Sequence, residues 1–301
     1  MEVLVNKEHV NVELEHEETL GEVMDGLRGW LNQSQLYITD VTVDEQDVKL
    51  DAPERWAGRS VDEVRRIEIL ALPPWKVRSS GLEIMVQYFS VLKQAIENGD
   101  EQRLREIAPE AESVAGSLPI YAADLVNEES KDDVFSRVVE APEIRGGTLP
   151  DGSRRDELLG YLGQSITVLS SRVREIESPG PEAGATARAI RRLVPEVSEV
   201  SVLLQRGEDR EAMNLIVRFT ELLGKLLRIM PHVARQDDKE VVSKEGLERY
   251  GTELNGTLHE LIDAFNAQDS VLIGDLVEYE LVPKIEELLA YVPEEEQTQS
   301  S

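Results

Sequence analysis

The chain has 301 residues, a formal net charge of −28, 41% apolar and 5% aromatic residues, and no cysteine. That is room for about two domains, with a core that must be mostly Leu, Val, Ile and Ala. The missing cysteine excludes disulfides, thiolate nucleophiles and Cys-ligated zinc or iron–sulfur sites, and the acidic field repels phosphate backbones, so no nucleic-acid partner is expected. No apolar run reaches the roughly 18 residues that a membrane span needs. The stretch Met1 to Lys7 shows no charged-then-apolar leader. The expected location is therefore cytoplasmic, with no membrane partner. Bases number 9 Lys and 23 Arg. Scarce lysine beside abundant carboxylate fits either a salt-rich cell or a cationic partner. The replacement of Lys by Arg runs through the whole chain, which favours the first.

Residues 1–76 change period in an ordered way. Glu2 to Val5 reads as a strand, followed by the polar turn Asn6-Lys7-Glu8-His9. Val10, Val12 and Leu14 alternate with polar residues as the second arm of a hairpin. Thr19-Leu20-Gly21-Glu22 is a capping box. Behind it Leu20, Val23, Met24, Leu27, Trp30 and Leu31 fall on one helical face. Tyr37, Thr39, Val41 and Val43 return to period two, and the acidic turn 44–47 leads to Val48-Lys49-Leu50. Ser60-Val61-Asp62-Glu63 is a second capping box, and the strand Ile67 to Leu72 ends at Pro73-Pro74.

This order of hairpin, helix, strand, short strand, helical turn and last strand resembles the ubiquitin-like β-grasp fold. The resemblance covers the first quarter of the chain. Conjugated members carry a Gly-Gly just after the last strand; here that place holds Leu72-Pro73-Pro74-Trp75-Lys76, so conjugation is not implied. What the resemblance implies is a docking module.

From residue 80 onward the pattern is helical. Leu82, Met85, Phe89, Leu92 and Ile96 form one stripe. Leu158, Leu162, Ile166, Leu169, Val173 and Ile176 alternate spacings of four and three, a bundle seam. Leu247, Tyr250, Leu254, Leu258, Leu261 and Phe265 form another. Linkers are expected near 141–156, 178–184 and 235–244, and an acidic tail over 293–301. A weak repeat relates Leu92-x-x-Ala95-Ile96-x-x-Gly99-Asp100, Val200-x-x-Leu203-Leu204-x-x-Gly207-Glu208 and Leu261-x-x-Ala264-Phe265-x-x-Gln268-Asp269. Each copy reads as the turn of an αα-hairpin, one helix ending on a small or polar residue and the next capped by an acid.

Sites of chemistry are sparse. His9, His16, His232 and His259 lie in different elements and form no ligand pair. Ser165 lacks the second glycine of a nucleophile elbow. Gly146-Gly147-Thr148 has no following Gly-Lys-Ser/Thr, so it is a linker and not a phosphate loop. One basic cluster stands out, Arg188, Arg191 and Arg192, with Arg172 and Arg174 upstream. It offers contacts to a phosphate or an acidic partner, against the blander pairing with Glu196 and solvated packing. Tyr279 is a second possible partner contact, against packing in the last hairpin. No catalytic residue, cofactor or metal site is expected.

The expected architecture is α+β: a β-grasp domain over 1–76, then an all-α region of helical hairpins over 80–292. The expected function is non-catalytic, an adaptor, scaffold or assembly chaperone with a protein partner. The alternatives are an enzyme with a carboxylate-based site between the helices and an acidic regulator that mimics nucleic acid.

Overall fold

The computed structural model describes residues 1–12, 16–126, 133–236 and 244–292. Leu14, most of the expected linker at 235–244 and the expected tail at 293–301 lie outside the described residues. The chain is mostly helical, with a small mixed sheet at the N-terminus. It divides into two compact units, Met1–Ser170 and Ser171–Ser301.

The sheet contains β1 (Glu2–Val5), β2 (Glu8–Val10), β3 (Tyr37–Val43), β4 (Gln46–Val48) and β5 (Arg66–Leu72), in the order β2-β1-β5-β3-β4. Only β1 and β5 pair in parallel. Val3, Val5, Val41, Val43, Ile67, Ile69 and Ala71 point to one face and are buried with Leu20, Val23, Met24, Leu27 and Leu31 of helix α1 (Leu20–Gln33). This burial is the period-two and period-3.6 pattern closing on itself. Trp30 was expected on that face, yet it lies off it at 46% exposed.

Both hairpin turns are tighter than expected. Asn6 and Lys7 have φ of 53° and 70°, and Asp44 and Glu45 have 49° and 67°. Two consecutive left-handed residues match the twist of the flanking strands, so two residues suffice and pairing resumes at Glu8 and Gln46. Each turn is tied to β5. The Asn6 side chain donates to Ala71 O and accepts from Ala71 N, both at 2.9 Å. Asp44 Oδ1 accepts from the Arg65 and Arg66 amides at 2.9 and 3.0 Å. The Arg66 amide leads the causes that hold the Asp44 carboxyl below its ordinary value, against the opposing effect of burial.

The capping box at Thr19 forms: the Glu22 amide donates to Thr19 Oγ1 at 3.4 Å and Glu22 Oε2 accepts from the Thr19 amide at 3.0 Å. The one expected at Ser60 does not. Only the three-residue turn Val61–Glu63 follows, and Ser60 makes no side-chain cap. Its backbone bridges to Thr19 instead, and the Val61 amide donates to Glu18 O at 3.1 Å.

Helix α2 (Pro74–Asn98) starts directly after β5. Pro74 occupies a first-turn position, where a missing N–H costs nothing and φ is already helical. Gly81 is thus inside the helix. A Cβ there would stand 2.5 Å from the Tyr121 ring, so glycine is what admits that ring. The rest of the first unit is α3 (Glu101–Ile107), α4 (Glu110–Tyr121), α5 (Val134–Val139), α6 (Pro142–Gly146) and most of α7 (Gly152–Glu177). Residues 141–156, read from sequence as a linker, hold α6 and the start of α7. Phe89 is fully buried, with the rings of Tyr88 at 5.7 Å and Phe135 at 6.3 Å.

The second unit comprises the end of α7, α8 (Pro179–Ser198), α9 (Val200–Gln205), α10 (Asp209–Gln236), α11 (Lys244–Asn266), α12 (Ser270–Asp275), a π-helical turn over Leu276–Leu281, and α13 (Val282–Ala290). Residues 179–184, also read as linker, are the first turns of α8, again with proline at the start. Phe219, Leu226, Ile229, Leu254, Leu281 and Ile285 are among the fully buried residues of its core.

The three repeat copies share one hydrogen-bond pattern. Asp100 N donates to Ala95 O at 2.8 Å, Glu208 N to Leu203 O at 2.9 Å and Asp269 N to Ala264 O at 3.0 Å. Beside them Gly99 N, Gly207 N and Gln268 N donate to Ile96 O, Leu204 O and Phe265 O. This is the Schellman helix ending, with the left-handed position at Gly99 (φ 68°), Gly207 (77°) and Gln268 (55°). Asp100 and Asp269 then cap the next helix through the Arg103 and Leu272 amides, each at 3.0 Å. A prediction follows from the one copy without glycine. Gln268→Gly should stabilise by about 0.5 kcal/mol, because relief of left-handed strain exceeds the entropy added to the unfolded chain. Gly99→Ala should cost about 1 kcal/mol for strain alone, since no atom lies within 4 Å of the added methyl. Urea denaturation of the two variants checks both signs.

Candidate functional site

The five arginines singled out in the sequence divide by role. Arg172 and Arg174 are committed to a charge network at the end of α7. Glu175 is 2% exposed. Arg172 Nη1 donates to both its oxygens at 3.0 and 2.9 Å, and Arg228 Nε of α10 lies 3.4 Å from Oε2. One step along, Glu182 of α8 takes Lys225 Nζ at 2.7 Å and Arg174 Nε at 3.0 Å. Burial pushes the Glu182 carboxyl up, and Lys225 and Arg174 more than offset this, so it titrates below its ordinary value. Arg235 Nη2 donates to Ile176 O at 2.9 Å. These contacts clamp the end of α7, the start of α8 and the second half of α10.

Arg188, Arg191 and Arg192 all lie on the exposed side of α8. Arg191 reaches α13, where Nη2 donates to Leu289 O at 3.2 Å. A cation on the last carbonyls of a helix completes hydrogen bonding and meets the negative end of its dipole. Arg191 is therefore a cap on α13. The pairing of Arg192 with Glu196 is absent among the described residues. Tyr279 stands 69% exposed on the π-helical turn. Pro283 explains that turn: it has no N–H, and its ring would strike the carbonyl four residues back, that of Tyr279. Widening the turn removes the clash. The structure thus places the arginines and Tyr279 in one unit, on different elements.

The concave feature of the second unit was not visible in the sequence. A groove of about 650 Å³ runs between the end of α8, α9 and the start of α10. Leu203 and Leu215 give it an apolar floor. Glu196 and Glu199 come from the α8 end, and Glu208, Asp209 and Glu211 from the turn after Gly207. Arg210, Asn214 and Arg218 complete the lining. The groove exists because the Schellman turn at Gly207 folds α9 back beside α10. The repeat did signal that turn. What it did not signal was that the α8 end would form the opposite wall.

All five groove carboxylates are exposed, so none has the buried setting that raises a carboxyl into general-acid range. The histidines stay apart. His9 lies 3.3 Å from Glu2, His232 Nδ1 3.4 Å from Arg235, and His259 Nδ1 2.8 Å from Asn255 O. Among the described residues no three His, Asp or Glu side chains converge to hold a metal ion. No helix there is long and apolar enough to cross a membrane. Ser165 is fully buried in mid-helix with an unpartnered Oγ, a packing position and not a nucleophile.

Two regions of the chain match known families. Residues 1–73 match the TP0873 N-terminal domain, and residues 186–290 match a domain of unknown function, DUF8042. An uncharacterized protein of Treponema pallidum (strain Nichols) is 29% identical over 94 residues, 31% of this chain and 47% of that protein. The chain thus spans about half the length of that relative. No solved structure matches. The second family region contains the whole groove, the three exposed arginines of α8 and Tyr279.

Proposed function

We propose that this protein is a non-catalytic adaptor, scaffold or assembly chaperone acting through protein–protein contacts, and that the α9–α10 groove is its principal docking surface. The observation that carries the reading is the groove itself: open, apolar-floored, and lined by exposed charged side chains with no buried reactive group among them. A docking surface needs an apolar centre and a polar rim. An enzyme site needs groups held in a dry pocket. The N-terminal sheet domain is read as a β-grasp module of about residues 1–76, on its strand order, its parallel β1–β5 pair and a core drawn from residues 3–71 alone. It supplies a second surface for assembly.

The test is in-cell crosslinking in the native host, with a photoreactive residue at Asn214 in the groove and, separately, at Gln94 on the exposed side of α2. The adaptor reading expects a discrete partner joined at position 214 and none at 94. Joining at neither position, together with a turnover lost on one Glu→Gln change while folding is intact, would replace it with the enzyme reading.

A further inference from the structure

Some exposed charges of the chain pair locally, as Arg103 does with Glu106 at 2.9 Å and Arg154 with Glu157 at 2.7 Å; others, such as Arg192 and Arg206, stay open to solvent. The groove's seven charged side chains, five carboxylates and two guanidiniums, are of the second kind: among the described residues none makes an ion pair. All seven line one shared concavity and are exposed to solvent. The balance there is negative, while the floor is Leu203 and Leu215. An apolar floor under a net-negative rim is complementary to one kind of chain: an apolar anchor flanked by bases.

We propose that the α9–α10 groove docks a short basic segment of a partner protein, one aliphatic or aromatic side chain seated between Leu203 and Leu215 and flanking Lys or Arg residues over Glu199, Glu208 and Glu211. This rests on the adaptor reading and names its partner's chemistry. Attraction steers the segment in, and the apolar anchor holds it once water is excluded. Arg210 and Arg218 face the segment's carbonyls and disfavour a uniformly polycationic ligand, which offers no anchor to offset meeting them.

A chain with a net charge of −28 attracts any cation, so the experiment must separate the groove from the general field. The full chain is titrated with three synthetic ligands: an Arg/Gln peptide with a central Leu, the same peptide with Gly for Leu, and spermine. The first should bind at least about tenfold tighter than the other two, and raised NaCl should weaken it to a plateau set by the anchor. Amide shifts should concentrate at Gly207 to Arg218. Glu199→Lys with Glu211→Lys should weaken binding about tenfold. The control Glu260→Lys with Asp263→Lys, exposed positions on α11 with the same change in net charge, should move it less than about twofold. Equal weakening by both pairs, or equal binding of the Leu and Gly peptides, overturns the proposal in favour of diffuse attraction. So does no binding of the Leu peptide. A native partner crosslinked at position 214 through an acidic segment would overturn it while leaving the adaptor reading in place.

Discussion

Replacing Glu175 with Ala is expected to destabilise the second unit by about 3 kcal/mol, at the lower end of the range for breaking a buried ion pair. Glu175 is 2% exposed, and its carboxylate accepts two hydrogen bonds from Arg172 Nη1, one from Arg228 Nε and one from Ser171 Oγ. Arg172 is itself largely buried, so it would lose its close, doubly bonded carboxylate. Arg228 is more than a third exposed and recovers water, which places the cost at the low end. The matched double change Glu175→Leu with Arg172→Met should be close to neutral, because it removes both desolvation costs and leaves apolar volume. Urea unfolding followed by circular dichroism measures both. A loss under about 1 kcal/mol for Glu175→Ala would mean that solvent reaches the pair. Glu182 adds a pH signature. Its carboxyl is held below the unfolded value by Lys225 and Arg174. The stabilisation is therefore present above the unfolded pKa and is lost as pH falls through the folded one. Lys225→Met should flatten that acid limb.

Much of the fold was legible because local chemistry and tertiary packing agree. The Thr19 capping box and the three helix endings rest on interactions within a few residues, where the backbone has nowhere better to satisfy those groups, and the α1 stripe shows its sheet-facing side in its own spacing. Misreadings arose where one residue type serves two ends. Proline reads as a stop at Pro74 and Pro179, but at the first turn of a helix it is a start. Asn6-Lys7 and Asp44-Glu45 look like parts of longer turns because neither pair contains the glycine that usually marks two left-handed residues. Ser60 resembled a cap, but its neighbourhood is fixed by the Thr19 bridge. The site was less legible for a different reason. The arginines and Tyr279 could be named from sequence, but Arg191's commitment to Leu289 spans 98 residues. The groove joins walls on either side of a turn. Such juxtapositions carry no local signal.

Phe89→Ala should be among the most damaging single changes in the first unit, costing about 3–5 kcal/mol. The side chain is fully buried, with the Tyr88 and Phe135 rings centred 5.7 and 6.3 Å from its own. Truncation removes the ring's transfer free energy and leaves a cavity lined by two other rings that cannot collapse far. Leu162→Ala should cost about 2–4 kcal/mol on the same grounds, since it too is fully buried. Ile166 was expected in the same seam, but it is only half-buried, and the fully buried position is Ser165. A seam spaced by four and three can pass through either neighbour, and here it passes through the smaller. Ile166→Ala should therefore cost clearly less than Leu162→Ala. Ser165→Ala should be neutral or stabilising, because it removes a buried hydroxyl without a partner, which costs about 1–3 kcal/mol to bury. Gln94→Ala, at an exposed position on α2, should stay within about 0.5 kcal/mol. Hydrogen exchange of the α2 and α7 amides reads each change within the unit itself. The ordering Phe89, Leu162, Ile166, Gln94, with no loss at Ser165, is what the packing requires. Equal losses at Ile166 and Leu162 would place the seam on the other neighbour.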